Sequence, residues 1–250
     1  MKITVLGSSH GAPEPNRRCS STMIEVNGNL YFIDMGCNIL EDFATRGIAP
    51  EKVHSVFITH MHYDHTNGLL PLLGNYHTHS KTADPEIFIP GDKDLVANGI
   101  KAWLNCNLEE ELRDFRYFSV HEGLFYSNED IKVTAFSSTH RKNAYSYLVE
   151  AEGKRVYFSG DYSIKVKPES KTGPQLDFPR EILNEPLDLA FCEGAHFSSL
   201  EYVDLFKGQT NLKKLCINHY SLQWLNTVLE LKSKIETPVI LATDNLEFNL

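Results

Sequence analysis

Four residues able to bind a metal ion follow one short apolar run near position 60. The run covers residues 55–59, and His60, His62, Asp64 and His65 come directly after it. Imidazole nitrogens and carboxylate oxygens are the ligands that zinc, manganese and iron accept in hydrolytic sites. Side chains two positions apart in an extended segment point to the same side. A helical turn after His62 would bring Asp64 and His65 to a second position nearby, so this segment could bind two adjacent metal ions.

Surface histidines and turn residues are the structural alternative for this cluster. The chain has 11 histidines, and three of them could fall together by chance. A strand end followed by this ordered set of histidines and an aspartate, with Gly68 closing the turn, has few such explanations. We therefore interpret the segment as a metal site.

Three further candidate ligands follow other predicted strands: His140, Asp161 and His219. A single His or Asp after a strand is usually a turn residue or a helix cap. Three of them, each able to supply a missing ligand, instead favour one shared site. The two carboxylate oxygens of Asp161 could bind one metal ion each.

Positioning these residues requires sheets, and the sequence predicts many short strands. Runs rich in β-branched and aromatic residues predict strands at 2–6, 21–26, 30–34, 55–59, 86–89, 131–137, 146–151, 155–159, 187–192, 214–218 and 239–242. Helices are predicted at 38–46, 69–73, 92–105, 179–183, 198–207 and 221–234. Hairpins interleaved with helices predict layered sheets with helices outside. The polar stretch 165–179 is expected to be an exposed loop, and residues 1–250 are expected to form one domain.

Bulk composition narrows the class of protein. The formal net charge of −9 argues against a general nucleic-acid binder, because that function needs Lys and Arg facing phosphates. The five cysteines form no CxxC pair, which favours reduced thiols over disulfides. No signal peptide and no apolar run of membrane-spanning length is recognisable. A cytoplasmic protein without membrane contact is expected.

The histidine box, with Asp34 upstream and the three later ligands, resembles the metallo-β-lactamase-fold hydrolase superfamily. The resemblance implies an α/β fold, a four-layer αβ/βα sandwich of two mixed β-sheets with helices outside and the metals at one edge. It also implies which residues bind each of two divalent metal ions. One ion would bind His60, His62 and His140, the other Asp64, His65 and His219, with Asp161 shared. Asp34 would orient the histidine segment by hydrogen bonds.

Three shorter segments are similar to the tRNA 3′-processing endonuclease group (RNase Z) and to the cyclic ribose-phosphate phosphodiesterases related to it. They are residues 6–13 with Arg17 and Arg18, residues 191–197, and residues 217–221. The second segment departs from the endonuclease pattern. In that pattern a His precedes the Glu, whereas Cys192 occupies this position here. Its His196 is a candidate catalytic residue, and a polar residue at a helix start is the alternative.

Two divalent metal ions would activate water and stabilise charge on substrate oxygens. Zn²⁺ is expected, and Mn²⁺ and iron remain alternatives. Asp64 could carry a proton toward the leaving group, and His196 could contact the phosphate or protonate the leaving alkoxide. His10 could line the cleft, whereas His77 and His79 are expected in a pocket wall or on the surface.

A small, possibly cyclic, phosphodiester is the preferred substrate. In the tRNA-processing group a tRNA-gripping arm usually lies between the residues matching His140 and Asp161, and only one hairpin fits here, so tRNA is disfavoured. Lactonases of this superfamily typically have a Tyr three positions after the shared Asp, where Ile164 stands, but a lactonase or other ester hydrolase stays open. A metal-poor binding subunit is the non-enzyme alternative.

The resemblance also implies a homodimer, for which the predicted helices 92–105 and 221–234 could provide the contact.

Overall fold

The structure is a computed structural model that describes residues 1–12, 14–106, 111–162, 164–165 and 175–250. Its strands are β1 (Lys2–Gly7), β2 (Ser21–Val26), β3 (Asn29–Met35), β4 (Val53–Phe57), β5 (Glu86–Ile89), β6 (Arg116–Ser119), β7 (Gly123–Ser127), β8 (Lys132–Ser138), β9 (Ala144–Ala151), β10 (Lys154–Phe158), β11 (Ile164–Lys165), β12 (Gln175–Leu176), β13 (Leu189–Gly194), β14 (Leu215–Tyr220), β15 (Val239–Leu241) and β16 (Glu247–Asn249). Its α-helices are α1 (Leu40–Arg46), α2 (Tyr63–Thr66), α3 (Leu69–Thr78), α4 (Lys93–Asn105), α5 (Val203–Phe206) and α6 (Leu225–Leu231).

Two seven-stranded mixed sheets form the centre of the molecule. The first has the strand order β16-β1-β2-β3-β4-β5-β6, and the second has the order β15-β14-β13-β10-β9-β8-β7. In each sheet antiparallel hairpins continue into parallel strands, as in β2-β3-β4, where β2 and β3 are antiparallel and β3 and β4 are parallel. This arrangement confirms the predicted αβ/βα sandwich with two mixed sheets.

The alternation of apolar side chains along β3 explains the layered packing. Tyr31 and Ile33 point into the cluster shared by both sheets, whereas Leu30 and Phe32 point into the cluster between the first sheet and its helices. Successive side chains of a strand face opposite sides, so a strand apolar on both faces is covered on both. Phe32 meets Phe43 of helix α1 at a centroid distance of 6.1 Å. A third cluster joins the second sheet to its own helices.

All strands predicted from the sequence are present, with ends shifted by one or two residues. Strands β6, β7, β11, β12 and β16 are additional. Most of β6 is exposed, so it lacks the apolar alternation that marks a strand in sequence. The predicted helices at 198–207 and 221–234 each begin as a 3-10 turn, in which Ser198 and Ser221 accept a hydrogen bond from the backbone two residues later. The predicted helix at 179–183 is a 3-10 helix over Arg180–Asn184.

Two parts of the sequence interpretation fall wholly or partly outside the described residues. Pro13, in the segment 6–13, is one, and most of the expected loop 165–179 is the other. Among the described residues, no helix combines the length and apolar character needed to cross a membrane.

Candidate active site

The corner between β4 and α2 positions four of the seven candidate ligands. Strand β4 ends at Phe57, His60 follows, and His62 is still extended with φ −68° and ψ 150°. Helix α2 then begins at Tyr63 and includes Asp64 and His65, which are both buried. The helical turn expected after His62 is therefore present, and it directs Asp64 and His65 to a position beside the first two histidines.

One group of side chains contains His60, His62, His140 and Asp161. His62 Nδ1 lies 2.9 Å from His60 Nε2 and 3.3 Å from His140 Nε2. Asp161 Oδ2 lies 3.5 Å from His60 Nε2 and 3.7 Å from His140 Nε2. One potential ligand atom of each residue lies within 4.8 Å of all the others, a spacing suited to one metal ion.

The second group contains Asp64, His65 and His219, and it faces the other oxygen of Asp161. Asp161 Oδ1 lies 3.3 Å from His65 Nε2 and 2.9 Å from His219 Nε2. Asp64 Oδ2 lies 3.6 Å from His65 Nε2 and 3.8 Å from His219 Nε2. Asp161 therefore presents one oxygen to each histidine group, which is the arrangement a carboxylate needs to bridge two cations.

The donor set fits divalent metal ions on its own chemistry. Within the described residues, His65 Nε2 and Asp161 Oδ1 are buried and have no hydrogen-bond partner. Buried polar atoms are normally paired, because leaving one unpaired costs on the order of 1–3 kcal/mol. Nitrogen and carboxylate oxygen atoms converging in one buried place are the ligands of Zn²⁺ and its first-row neighbours.

Burial sets the protonation of most of these histidines. It lowers the pKa of His60 and of His219, and the charges of neighbouring histidines add to the effect. Burial and the charge of His196 also lower the pKa of His140, to about 4. These imidazoles are therefore neutral at pH 7 and keep a lone pair available for a metal ion.

Asp34 orients His65 from behind, as the resemblance implied. Its Oδ2 lies 2.6 Å from His65 Nδ1, and its Oδ1 accepts a hydrogen bond from the Thr59 backbone N–H at 2.7 Å. Burial acts to lower the pKa of His65, but the charges of Asp34 and Asp161 outweigh it and raise that pKa. The contact with Asp34 holds Nδ1 on the far side of the ring, so that Nε2 faces the other candidate ligands. Asp34 has a φ of 60°, a left-handed conformation that the sequence did not reveal.

His219 is held by the loop between β1 and β2. It lies near the end of β14 with a φ of 46°, and its Nδ1 lies 3.3 Å from the carbonyl oxygen of Ser9. Arg17 donates a hydrogen bond to the carbonyl oxygen of Tyr220 at 2.9 Å, and its guanidinium lies 3.5 Å from the centre of the Tyr220 ring. The motif in the first 20 residues thus supports the last candidate ligand in the chain.

His196 lies at the rim of the cluster, against a buried glutamate. Its Nδ1 is 2.9 Å from both carboxylate oxygens of Glu193, and its Nε2 is 3.7 Å from Asp161 Oδ2. Burial acts to lower the pKa of His196, but the hydrogen bond and charge of Glu193 and the charge of Asp161 raise it to about 9. Glu193 also accepts hydrogen bonds from the backbone N–H groups of Tyr162 and Ala195. A partly exposed, protonated imidazole therefore stands beside the ligand groups.

The other histidines singled out from the sequence are not part of the candidate ligand groups, although the charge of His10 contributes to lowering the pKa of His219. His10 Nε2 is 3.2 Å from Glu14 Oε1 in the β1–β2 loop. His77 Nδ1 accepts a hydrogen bond from the backbone N–H of Arg113, and His79 is exposed. None of the three belongs to a potential metal-binding group among the described residues.

Two residues of the site had no assigned role in the sequence interpretation. Glu193 was part of a recognised segment, but nothing in its spacing showed that it would fix His196. Arg141, next to His140, places its Nε 3.2 Å from His62 Nε2. Its only sequence signal is its position beside a candidate ligand.

Comparison with known proteins gives a family match over most of the chain. A family model described as "Anti-Pycsar protein Apyc1" matches residues 1–233. A ribonuclease Z of Azobacteroides pseudotrichonymphae is 23% identical over 283 residues, which cover 98% of this chain and 97% of that protein. Alignments with several other curated ribonuclease Z proteins span only about half of their length, for example 47% in one case and 49% in another.

Solved structures agree with the observed fold. The metallo-β-lactamase-fold protein YhfI from Bacillus subtilis superposes with a TM-score of 0.76 at 16% identity, covering 99% of this chain and 98% of that one. Unliganded yeast PDE1 superposes with a TM-score of 0.73 at 13% identity, covering 100% of this chain and 99% of that one. At these identities the likeness shows the metallo-β-lactamase fold.

Proposed function

The chain belongs to the family described as anti-Pycsar protein Apyc1, and on that premise we propose that it is a metal-dependent phosphodiesterase acting on a small, cyclic phosphodiester. The observation that carries the proposal is the placement of Asp161 between two histidine groups. Its Oδ1 faces His65 and His219, and its Oδ2 faces His60 and His140. Such a donor set suits a pair of divalent cations.

The proposed ligand sets follow the two groups. His60, His62 and His140 would hold one ion, Asp64, His65 and His219 the other, and Asp161 both. Zn²⁺ is the proposed metal, with Mn²⁺ and iron as alternatives for the same nitrogen and oxygen ligands. When bound, a pair of such ions lowers the pKa of water and neutralises charge on phosphoryl oxygens.

The chain's own residues would manage the proton and the leaving group. The Asp64 carboxylate, in the group with His65 and His219, can accept a proton from the attacking water. His196, protonated and fixed by Glu193, can donate a proton from Nε2 to the departing alkoxide. Its Nε2 lies 3.7 Å from Asp161 Oδ2, which places it beside the centre where the phosphate would bind.

Substrate size is limited by the hairpin that follows His140. Strands β9 and β10 pair directly from Tyr147 to Phe158 and turn at Glu152-Gly153, so this hairpin leaves no room for an arm that grips tRNA. The net charge of −9 supports the same conclusion, because tRNA binding needs a basic surface. The likeness to ribonuclease Z sequences keeps tRNA cleavage as the second candidate.

A substrate comparison tests the proposal. The metal-loaded protein is assayed with bis-p-nitrophenyl phosphate, with 2′,3′- and 3′,5′-cyclic nucleotides, with an acyl-homoserine lactone and with a precursor tRNA. We expect the highest kcat/KM for a cyclic nucleotide. Faster turnover of the lactone or of the tRNA would overturn the assignment in favour of the corresponding alternative.

The remaining proposals concern organisation. We propose that residues 1–250 form one domain, which is supported by the apolar cluster that joins both sheets.

We propose a homodimer through helix α4, where Leu95 and Trp103 are 70% and 68% exposed. Large apolar side chains exposed on one helix are typical of protein–protein interfaces.

A cytoplasmic location is proposed because all five cysteines are free thiols.

A further inference from the structure

Arg141 is a cation at the edge of the proposed metal site. Its Nε lies 3.2 Å from His62 Nε2, and its side chain is exposed. The backbone around it is anchored on both sides. The N–H of Thr139 donates to Asp177 Oδ2 at 2.6 Å, and the N–H of Tyr145 donates to the carbonyl oxygen of Thr59 at 2.9 Å. The side chain of Arg141 can therefore change direction without movement of the loop.

The contact between Arg141 and His62 is incompatible with His62 acting as a metal ligand. His62 directs Nδ1 into the group, 2.9 Å from His60 Nε2. A neutral imidazole that ligates through Nδ1 carries its proton on Nε2, which can then donate but not accept. Arg141 Nε is also a donor only. Two donors cannot share a hydrogen bond, so the guanidinium must leave His62 when a metal ion binds.

Once released, the Arg141 guanidinium needs another hydrogen-bond acceptor. Among the described residues it forms no ion pair, whereas Arg17 pairs with Glu14, and Arg18 pairs with Asp42 and Asp244. Guanidinium groups bind phosphate oxygens with strong, geometrically specific hydrogen bonds. The partner that suits Arg141 is therefore an anion brought by the substrate.

We propose that Arg141 is a substrate-binding residue whose guanidinium moves from His62 Nε2 to a non-bridging phosphate oxygen of the bound phosphodiester. The inference rests on the proposed function. His140 lies next to both flanking groups, with its ring centroid 5.0 Å from that of His62 and 4.7 Å from that of His196. Arg141 and His196 thus approach the same place from two sides, one to hold the phosphate and one to serve the leaving group.

Binding of inorganic phosphate to the metal-loaded protein tests this role without relying on turnover. Isothermal titration calorimetry compares the wild type with R141Q, R141K and K142Q. We expect R141Q to raise the dissociation constant about tenfold or more, since a charge-assisted hydrogen bond is lost. R141K should recover part of the affinity. K142Q removes the same charge one residue away and should change the constant less than about twofold, because Lys142 is exposed and the effect is then only long-range screening.

Metal content and kinetics complete the test. R141Q should keep the wild-type amount of metal by elemental analysis, and its KM for bis-p-nitrophenyl phosphate should rise more than its kcat falls. Phosphate affinity equal to wild type in R141Q would overturn the inference, and so would loss of metal, which would make Arg141 a support for His62. A wild-type protein that binds phosphate through Arg141 but hydrolyses no phosphodiester would overturn the proposed function alone.

Discussion

His65 Nε2 and Asp161 Oδ1 lie 3.3 Å apart in the interior, and neither forms a hydrogen bond within the described part of the chain. Two buried polar atoms left unpaired would cost on the order of 1–3 kcal/mol each. The surrounding residues hold them in place, because Asp34 fixes the far side of the His65 ring. The folded chain thus holds these two atoms ready for a cation.

Replacing Asp161 by Asn should remove the link between the two groups. The amide keeps the volume of the side chain but loses its charge and one of its two oxygen ligands. We expect D161N to lose at least one metal ion per chain and to lower kcat about 100-fold or more. Elemental analysis and turnover of bis-p-nitrophenyl phosphate measure both. Wild-type metal content in D161N would contradict the bridging role.

Asp34 should control metal affinity without touching the metal. Replacing it by Asn removes the charge beside His65 Nδ1, and such supporting partners typically contribute about 10- to 100-fold in metal affinity. We expect the zinc dissociation constant of D34N, measured by competition with a chelator, to rise by that factor. D42N is the matched control, because Asp42 is also buried but pairs with Arg18. Equal metal affinity in D34N and D42N would refute the role of Asp34.

The acid role of His196 predicts a pH dependence. Glu193 and Asp161 raise the pKa of His196 to about 9, so the ring is protonated below that pH and loses its proton as the pH rises through it. An acid is active only while protonated, so kcat should fall on the alkaline side. A bound metal ion would move this alkaline limb to lower pH, because its positive charge disfavours the protonated ring. The measurement is therefore whether the limb disappears in H196Q. H196Q should also lower kcat about 100-fold with metal content unchanged.

H196Q would disprove the role of His196 in two ways. Retention of the alkaline limb would assign that limb to another group. Loss of metal from the variant would show that His196 is a ligand, which the short distance from its Nε2 to Asp161 Oδ2 also permits.

The exposed face of α4 should determine the oligomeric state. Replacing Trp103 by Glu places a charge in the proposed dimer contact, where burial of an unpaired charge is unfavourable. Light scattering after size exclusion should show a dimer for the wild type and a monomer for W103E. Leu124 on β7 is 57% exposed on the other sheet, and L124E should remain a dimer. A monomeric wild type would contradict the proposed interface.

Much of the candidate ligand cluster could be predicted because its pattern is local. His60, His62, Asp64 and His65 lie within six residues, and their spacing after a strand fixes their directions. The later ligands could be placed at strand ends, since a run of β-branched residues marks each strand. Buried strands were found for the same reason, and the exposed strand β6 was missed because its burial does not alternate.

The supporting contacts could not be predicted because they join distant parts of the chain. Arg17 reaches the carbonyl of Tyr220, and Asp34 reaches His65, through a tertiary fold that no spacing encodes. Asp34 and His219 both adopt a left-handed φ, which is uncommon for residues other than glycine even though Asp and His are enriched there, so residue type alone does not predict it. The contacts of Glu193 with the backbone of Tyr162 and of Arg141 with His62 could not be predicted for the same reason.

Reconstitution with metal tests the central claim most directly. The protein is stripped with a chelator, dialysed, and titrated with Zn²⁺ or Mn²⁺ while hydrolysis of a cyclic nucleotide and bound metal are followed together. We predict no activity without metal and full activity as the second equivalent binds to each chain. Activity that persists in the stripped protein, or saturation below about one metal ion per chain with activity absent, would contradict the account.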